Sequence, residues 1–539
     1  MLESVSIQTS SGNFTIPHKQ AHNGKVVFDC TGFSSESAKS FDIIIIFKEA
    51  ISEFRNHDYT WVKANADFIA ADFSPKILRL ANGQYVQPNL QSGIWEFHKK
   101  NPKILLWRFN PENSAPLTAY SGPQNEKKTL QSNRKFDFPI PPAILFSNTA
   151  AVEFSRSVNP FSAIACFTDH CDFDTPENLK LQREFFKTNG ISTTKGFFLN
   201  HFSKRKDNAS FQNDASELTQ WKNDGHELTY HSLSQSIKPM DESFGDFNNI
   251  IPPFPDIPTW IDHGFQPYNF SLFQNNGIPD AAFEASLKSK SITTLWNYID
   301  SGTAASGVIN QLNPDDFTLD RFSKGNKNVP FAERLGMMIK NIMFHFYADE
   351  KIISKYKNTA SSFKKLVFQR KMGSFFTLLG SFFGMTLPIL KVFLGWNANK
   401  TKPYKLARYT PLIFRHTIAE SEFYVFQTLE MVDFKSALHP QNIEKLIREK
   451  GVFIAHTYFS VPMNYHKGKM FRTADVIDEA VAANFGNLAI KIKNNEIWNP
   501  TLNELVVFLA NFEKAVLDSD ANGNITVANA SGLPYRTVN

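Results

Sequence analysis

Two rhythms of apolar and polar positions divide the chain. Over roughly the first 150 residues the apolar runs are short and punctuated by turn residues, which is the pattern of strands. KVVFDCTGF (25–33) and FDIIIIFKEA (41–50) read as paired strands joined by the Ser-rich SSESAKS. GIWEFHKK (93–100) and KILLWRFN (103–110) read as a hairpin turning at Asn101-Pro102. The stretch 121–142 is polar, then proline-rich, and reads as a linker.

From about residue 160 strands alternate with helices. FSAIACFT is a buried strand and PENLKLQREFFKTNG a helix that opens on Pro and stops at Gly190. ISTTKGFFLN, DASELTQWKNDG and HELTY continue as strand, helix and strand. After a break, FYVFQTLEMVDF, PQNIEKLIREKG and VFIAHTYF resume the alternation, and a closing helix follows in 499–516. This spacing predicts an α/β fold, a distorted (β/α) barrel, carrying its functional residues at the C-terminal ends of the strands. The predicted units are a β-rich region over 1–150, the first part of the barrel over 158–302, an insertion over 303–405, and the rest of the barrel with a C-terminal helix over 406–539. Trp95 and Trp107, on neighbouring strands of the first unit, are the only residues there that suggest a sugar platform.

Composition narrows the class. The chain has 539 residues, 42% apolar and 20% charged, the proportions of folded domains. A net charge of +5 over this length gives no reason to expect nucleic acid. Three cysteines cannot build a disulfide framework, and MLESVSIQTSSGNF has neither a basic nor an apolar leader region, so a cytoplasmic protein is expected. The 52 phenylalanines fit large aromatic cores or an apolar binding surface.

The chemistry concentrates at the end of the first barrel strand. CFTDHCDFDTPENL (166–179) places Asp169, His170, Asp172 and Asp174 within six positions. Such clusters bind a cation or move protons, although Asp172 or Asp174 could instead cap the following helix. His231 stands at the end of the third strand in DGHELTYHSLSQS (224–236).

Taken in order, CFTDHCDFDTPENL, TTKGFFL and GHELTYHSLSQS resemble the motifs of the polysaccharide deacetylase family, carbohydrate esterase family four. The match is clearest over 160–240 and echoes to about 302 and near 456. The resemblance implies a hydrolase that removes an acetyl group from an acetylated sugar in cell-surface glycan metabolism, using a divalent metal, with zinc expected. Carried over by position, Asp169 falls on the catalytic base and His170 on the acidic metal ligand, with Asp172 competing for that place. His231 falls on the first histidine ligand and His456 on the late catalytic acid. Trp260 and His263 in TWIDHGFQPYNF, and Trp296 and Asp300 in TTLWNYIDSG, fall near the sugar groove. The chain departs from the family pattern at Gln235, where the second histidine ligand is expected, and at His170, where the family has a carboxylate. A deacetylase-like protein that binds glycans or serves as a scaffold without catalysis is the competing expectation. Metal-free hydrolysis by Asp169, Asp172 and Asp174 is a third.

The insertion holds KMGSFFTLLGSFFGMTLPILK (371–391), uncharged over 19 residues between basic flanks. Spanning a membrane there would separate Asp169 and His231 from His456 and prevent the barrel from closing. The expectation is a segment packed on the barrel or in peripheral contact with a membrane through 364–396.

Overall fold

The computed structural model describes residues 1–539 except 22, 31–39, 122–125, 135–137, 139, 265, 274–276, 356–358, 360–385, 461–468 and 474. Most of 371–391 therefore lies outside the described residues. No helix among the described residues is long and apolar enough to cross a membrane.

Strict alternation builds the N-terminal region. Phe41–Phe47 and Ile104–Phe109 turn every second side chain inward. They lie in a six-stranded antiparallel sheet that faces a seven-stranded one, and a single core joins the two. Ile94–Phe97 and Ile104–Phe109 form the expected hairpin. Lys25–Phe28 and Phe41–Phe47 do not pair. The first joins Ala143–Ser147 in one sheet, and the second joins Leu2–Thr9 in the other. Alternation tells which face of a strand is buried but not which strand lies beside it.

Two further expectations for this region are corrected. Trp95 and Trp107 are fully buried and meet edge to face at 6.3 Å, so neither offers a surface to a sugar. The stretch 121–142 is not all linker: its first part, to Gln131, belongs to a hairpin, Pro116–Ser121 against Glu126–Gln131, whose Leu117 and Leu130 join the barrel core. This hairpin reaches the barrel strands, where the Thr118 carbonyl accepts from Asn297 Nδ2 at 3.0 Å.

Seven parallel strands close the barrel: β1 (Ala163–Asp169), β2 (Thr194–Phe197), β3 (Glu227–Tyr230), β4 (Thr259–Ile261), β5 (Thr294–Thr303), β6 (Ser421–Glu430) and β7 (Val452–Thr457). β7 pairs with β1 and β1 with β2, which completes the ring. Every residue of β1 and β7 is buried, as continuous apolar runs in parallel sheets require. Gly196 in β2 lets the strands approach, because a Cβ there would lie 2.7 Å from the Asp169 carbonyl oxygen.

Helix α1 (Pro176–Asn189) follows β1 and is capped by Thr175, whose hydroxyl accepts from the Asn178 amide in a reciprocal capping box. Asp172 and Asp174 are thus not needed as caps and are available for other contacts. The described part of the insertion packs on the barrel, with Phe317, Leu319, Phe322, Met338, Ile342 and Tyr404 in the same core as the strands. The chain ends in Tyr535–Val538, paired with Ala151–Phe154 beside the N-terminal region.

Candidate metal centre and cavity

β1 ends at Asp169, and the turn behind it projects His170 and Asp172 over the C-terminal mouth of the barrel. His231 follows β3, held by its amide on the Phe197 carbonyl at 2.8 Å. The next residue, Ser232, adopts a left-handed φ of 67° and donates its hydroxyl to Asn269 at 3.0 Å. Such strain at a strand end fixes the direction of its neighbour.

His170, Asp172 and His231 are all buried, and one ligand atom from each lies within 4.8 Å of the others. Two imidazoles and a carboxylate in a closed space are a borderline-cation donor set. Asp172 Oδ2 lies 3.0 Å from His231 Nε2, and Asp172 Oδ1 lies 2.7 Å from His263 Nε2. Nδ1 of His170 is buried without a protein partner. The residues present fit a divalent ion.

Burial sets the protonation of these groups. It pushes the His231 imidazole down to about 4, although Asp172 pulls the other way. It lowers His170 further, with His456 and His231 adding to the effect. Burial opposes ionisation of Asp172, but His263 and His231 outweigh it and hold the carboxyl well below its usual range. Neutral imidazoles beside a carboxylate are the ligand forms that a metal requires.

Across the mouth, His456 on β7 stacks on His170 with ring centroids 4.2 Å apart. Its Nδ1 lies 3.1 Å from Asp300 Oδ1 and its Nε2 is buried without a protein partner. Asp300 reaches this place because β5 breaks register with β6 between Trp296 and Asp300, where Tyr298 takes a φ of 61°. Thr428 donates its hydroxyl to Asp300 at 2.7 Å and accepts from Trp296 Nε1 at 3.0 Å. Burial alone would lower the His456 pKa, but Asp300 outweighs it and raises it above the ordinary imidazole value.

A cavity of about 380 Å³ opens here. Asp172, Trp296, Asp300 and His456 line it together with Tyr120 and Lys127 of the hairpin and Lys340 and His345 of the insertion. These last four were not singled out from sequence. They come from regions read as linker and insertion, and only the fold carries them to the mouth.

Three positions differ from the roles that the resemblance implies. Asp169 is fully buried and both its oxygens are engaged. Oδ1 accepts from the Thr457 hydroxyl and the Phe459 amide at 2.8 Å each, and Oδ2 is paired with Lys195. The same ammonium sits 2.6 Å from Asp174 Oδ2. Asp169 is thus tied into a buried ion network and not presented as a base. Trp260 packs among Tyr230, Phe247 and Tyr268 and is 1% exposed, so it belongs to the core. His263 meets Asp172 and orients it, where a place in the sugar groove was expected.

Gln235 turns away from the donor set. Its Oε1 accepts from the hydroxyls of Ser203 at 2.9 Å and Ser236 at 3.0 Å. Gln235→His is therefore expected to leave metal affinity unchanged, within about twofold, in a zinc titration. A tenfold gain, about 1.4 kcal/mol, would show that the side chain can swing into the centre.

No family model matches this chain, and no curated relative does. Among solved structures, a xylosidase from Aspergillus niger is similar at 12% identity with a TM-score of 0.18. The match covers 54% of this chain and 39% of that one, so the chain spans well under half the length of the structure it matches.

Proposed function

We propose that this chain is a divalent-metal-dependent hydrolase of the polysaccharide-deacetylase kind, removing an acetyl group held by an amide or ester bond on a sugar. The reading rests on His456: Nδ1 on Asp300, Nε2 unpartnered in the cavity, and the ring stacked on His170 of the donor set.

His170, Asp172 and His231 would hold the ion, with His263 orienting Asp172 from its second oxygen. When bound, the ion supplies Lewis acidity at the acyl oxygen and a more acidic water. Asp300 accepts the Nδ1 proton of His456 and so fixes the ring, leaving Nε2 to donate to the departing sugar nitrogen or oxygen. Among the described residues the carboxylates that line the cavity are Asp172, Asp300 and Glu430; the first two are engaged with histidines, which leaves Glu430 to take the proton of the attacking water.

The test is acetate release from acetylated oligosaccharides, measured before and after chelation. Loss on chelation and recovery with zinc or another divalent ion support the reading. Full activity without metal, or glycan retention with no acetate released, would overturn it, and the second result would favour a binding protein.

Asp300→Asn is expected to lower kcat about 10- to 100-fold. It should also shift the alkaline limb of the pH profile to lower pH. A general acid works below its pKa, and Asp300 is what raises that of His456. An unmoved limb would remove His456 from the acid role.

A further inference from the structure

The described parts of the insertion combine two properties. The helix Phe331–Asn341 presents Phe331 and Leu335, four residues apart on one face, and Phe331 is 72% exposed. The stretch 386–394, also helical, presents Leu387, Leu390 and Leu394 at spacings of three and four, with Leu394 79% exposed. The helical run that begins with the first of these continues to Tyr347, whose hydroxyl donates to the Pro388 carbonyl of the second at 3.0 Å. Isolated exposed apolar residues need no explanation, but two connected helical stretches that each present several do.

The charge around them is one-sided. Within 319–355 and 386–402 there are ten Lys or Arg and four Asp or Glu, against 57 and 52 in the whole chain. Over all the described residues of the insertion (303–355, 359 and 386–405) the count is eleven Lys or Arg against six Asp or Glu, an excess of positive charge in the unit that holds the most exposed leucines among the described residues. Arg334 lies 5.9 Å from the Phe331 ring, and Lys391 is exposed next to Leu390. Exposed leucine and phenylalanine flanked by basic residues fit a bilayer interface with anionic headgroups: the apolar side chains enter the acyl boundary and the cations stay at the headgroups. A protein partner would explain the apolar face equally well but not the excess of positive charge.

We infer that this face, formed by Phe331, Leu335, Leu387, Leu390 and Leu394 with their basic neighbours, docks the protein on an anionic membrane surface. The same helical run that presents Phe331 and Leu335 continues to Lys340 and His345 in the cavity wall. Docking therefore brings the cavity beside the headgroup plane. Given the hydrolase reading above, the substrate is then a sugar carried on a lipid. The docking itself does not depend on that reading.

The experiment is co-sedimentation of the protein with vesicles of phosphatidylcholine alone or with about one third phosphatidylglycerol as the anionic lipid, at low and high salt. Binding to the anionic vesicles only, lowered at least tenfold by high salt and by Leu387→Glu with Leu394→Glu, is expected. Circular dichroism and acetate release from a soluble substrate check that the variant is folded. Equal binding to neutral vesicles, binding that survives the double substitution, or a dimer that the substitution dissociates would each overturn it. The acetate assay reads the hydrolase proposal separately, so either can fail alone.

Discussion

Lys195→Met is expected to destabilise the protein by about 3–5 kcal/mol, the usual cost of removing one partner from a buried ion network. Lys195 has no exposed surface and its ammonium faces Asp169, Asp174 and, at 3.1 Å, Gln182 Oε1. Burial would lower its pKa, but the two carboxylates outweigh this and keep it charged. Methionine fills much of the same space, so the loss is one of charge and not of volume. Burial already pushes Asp169 up to about 6 against the pull of Lys195, and without the ammonium it rises further. A carboxyl whose pKa is higher folded than unfolded favours the folded state more at low pH. The deficit of the variant should therefore shrink as pH falls from 7 towards 5. Urea denaturation at several pH values checks both points, and a deficit under 1 kcal/mol would mean that water reaches the network. Because Asp169 bonds to Thr457 and Phe459, the same variant should loosen the join between β1 and β7.

Metal removal gives the second large effect. Protein stripped with chelator is expected to gain about 2.7 kcal/mol when zinc is added to a hundred times its dissociation constant. His231→Ala should abolish that gain and reduce bound metal from about one ion per chain to a trace. The donor set is poised for this because burial holds His231 at about 4, leaving its imidazole neutral at pH 7. The same shift has a consequence for the stripped protein. Its folded pKa lies below the unfolded value of about 6.5, so the unfolded chain takes up the proton first. The contribution of His231 is thus present above pH 6.5 and lost as pH falls towards 4. His226, His345 and His416 are also pushed to about 4 by burial and act in the same direction. Thermal melts with and without zinc, at pH 7 and pH 5, test these statements together. Unchanged melts on adding zinc would remove the metal centre.

Local pattern was enough for much of the scaffold. Strands β1 to β3, the helices between them and the late strands β6 and β7 could be read along the chain. Parallel strands buried on both faces are apolar runs, and the intervening helices begin and end at recognisable residues such as Thr175, Pro176 and Gly190. The grouping of His170, Asp172 and His231 was visible too, since strand ends in such a fold converge on one mouth.

Tertiary structure decided what each of these residues does. Asp169 and Asp172 are three positions apart in one acidic run, yet the first meets Lys195 below the mouth and the second meets two histidines within it. Nothing in the sequence marks Lys195, because a buried cation is recognisable only by the carboxylates that surround it. Trp260 and Trp296 occupy similar strand sequences, but Trp260 lies level with Leu295 and Trp296 with Ile261, so the two face opposite sides of the sheet and only Trp296 reaches the cavity. Tyr120, Lys127, Lys340 and His345 reach the same cavity from regions distant in sequence. Periodicity fixes which face of an element is buried, because that depends on neighbours along the chain. The identity of the group across a cavity depends on contacts between distant segments, and only the folded chain determines those.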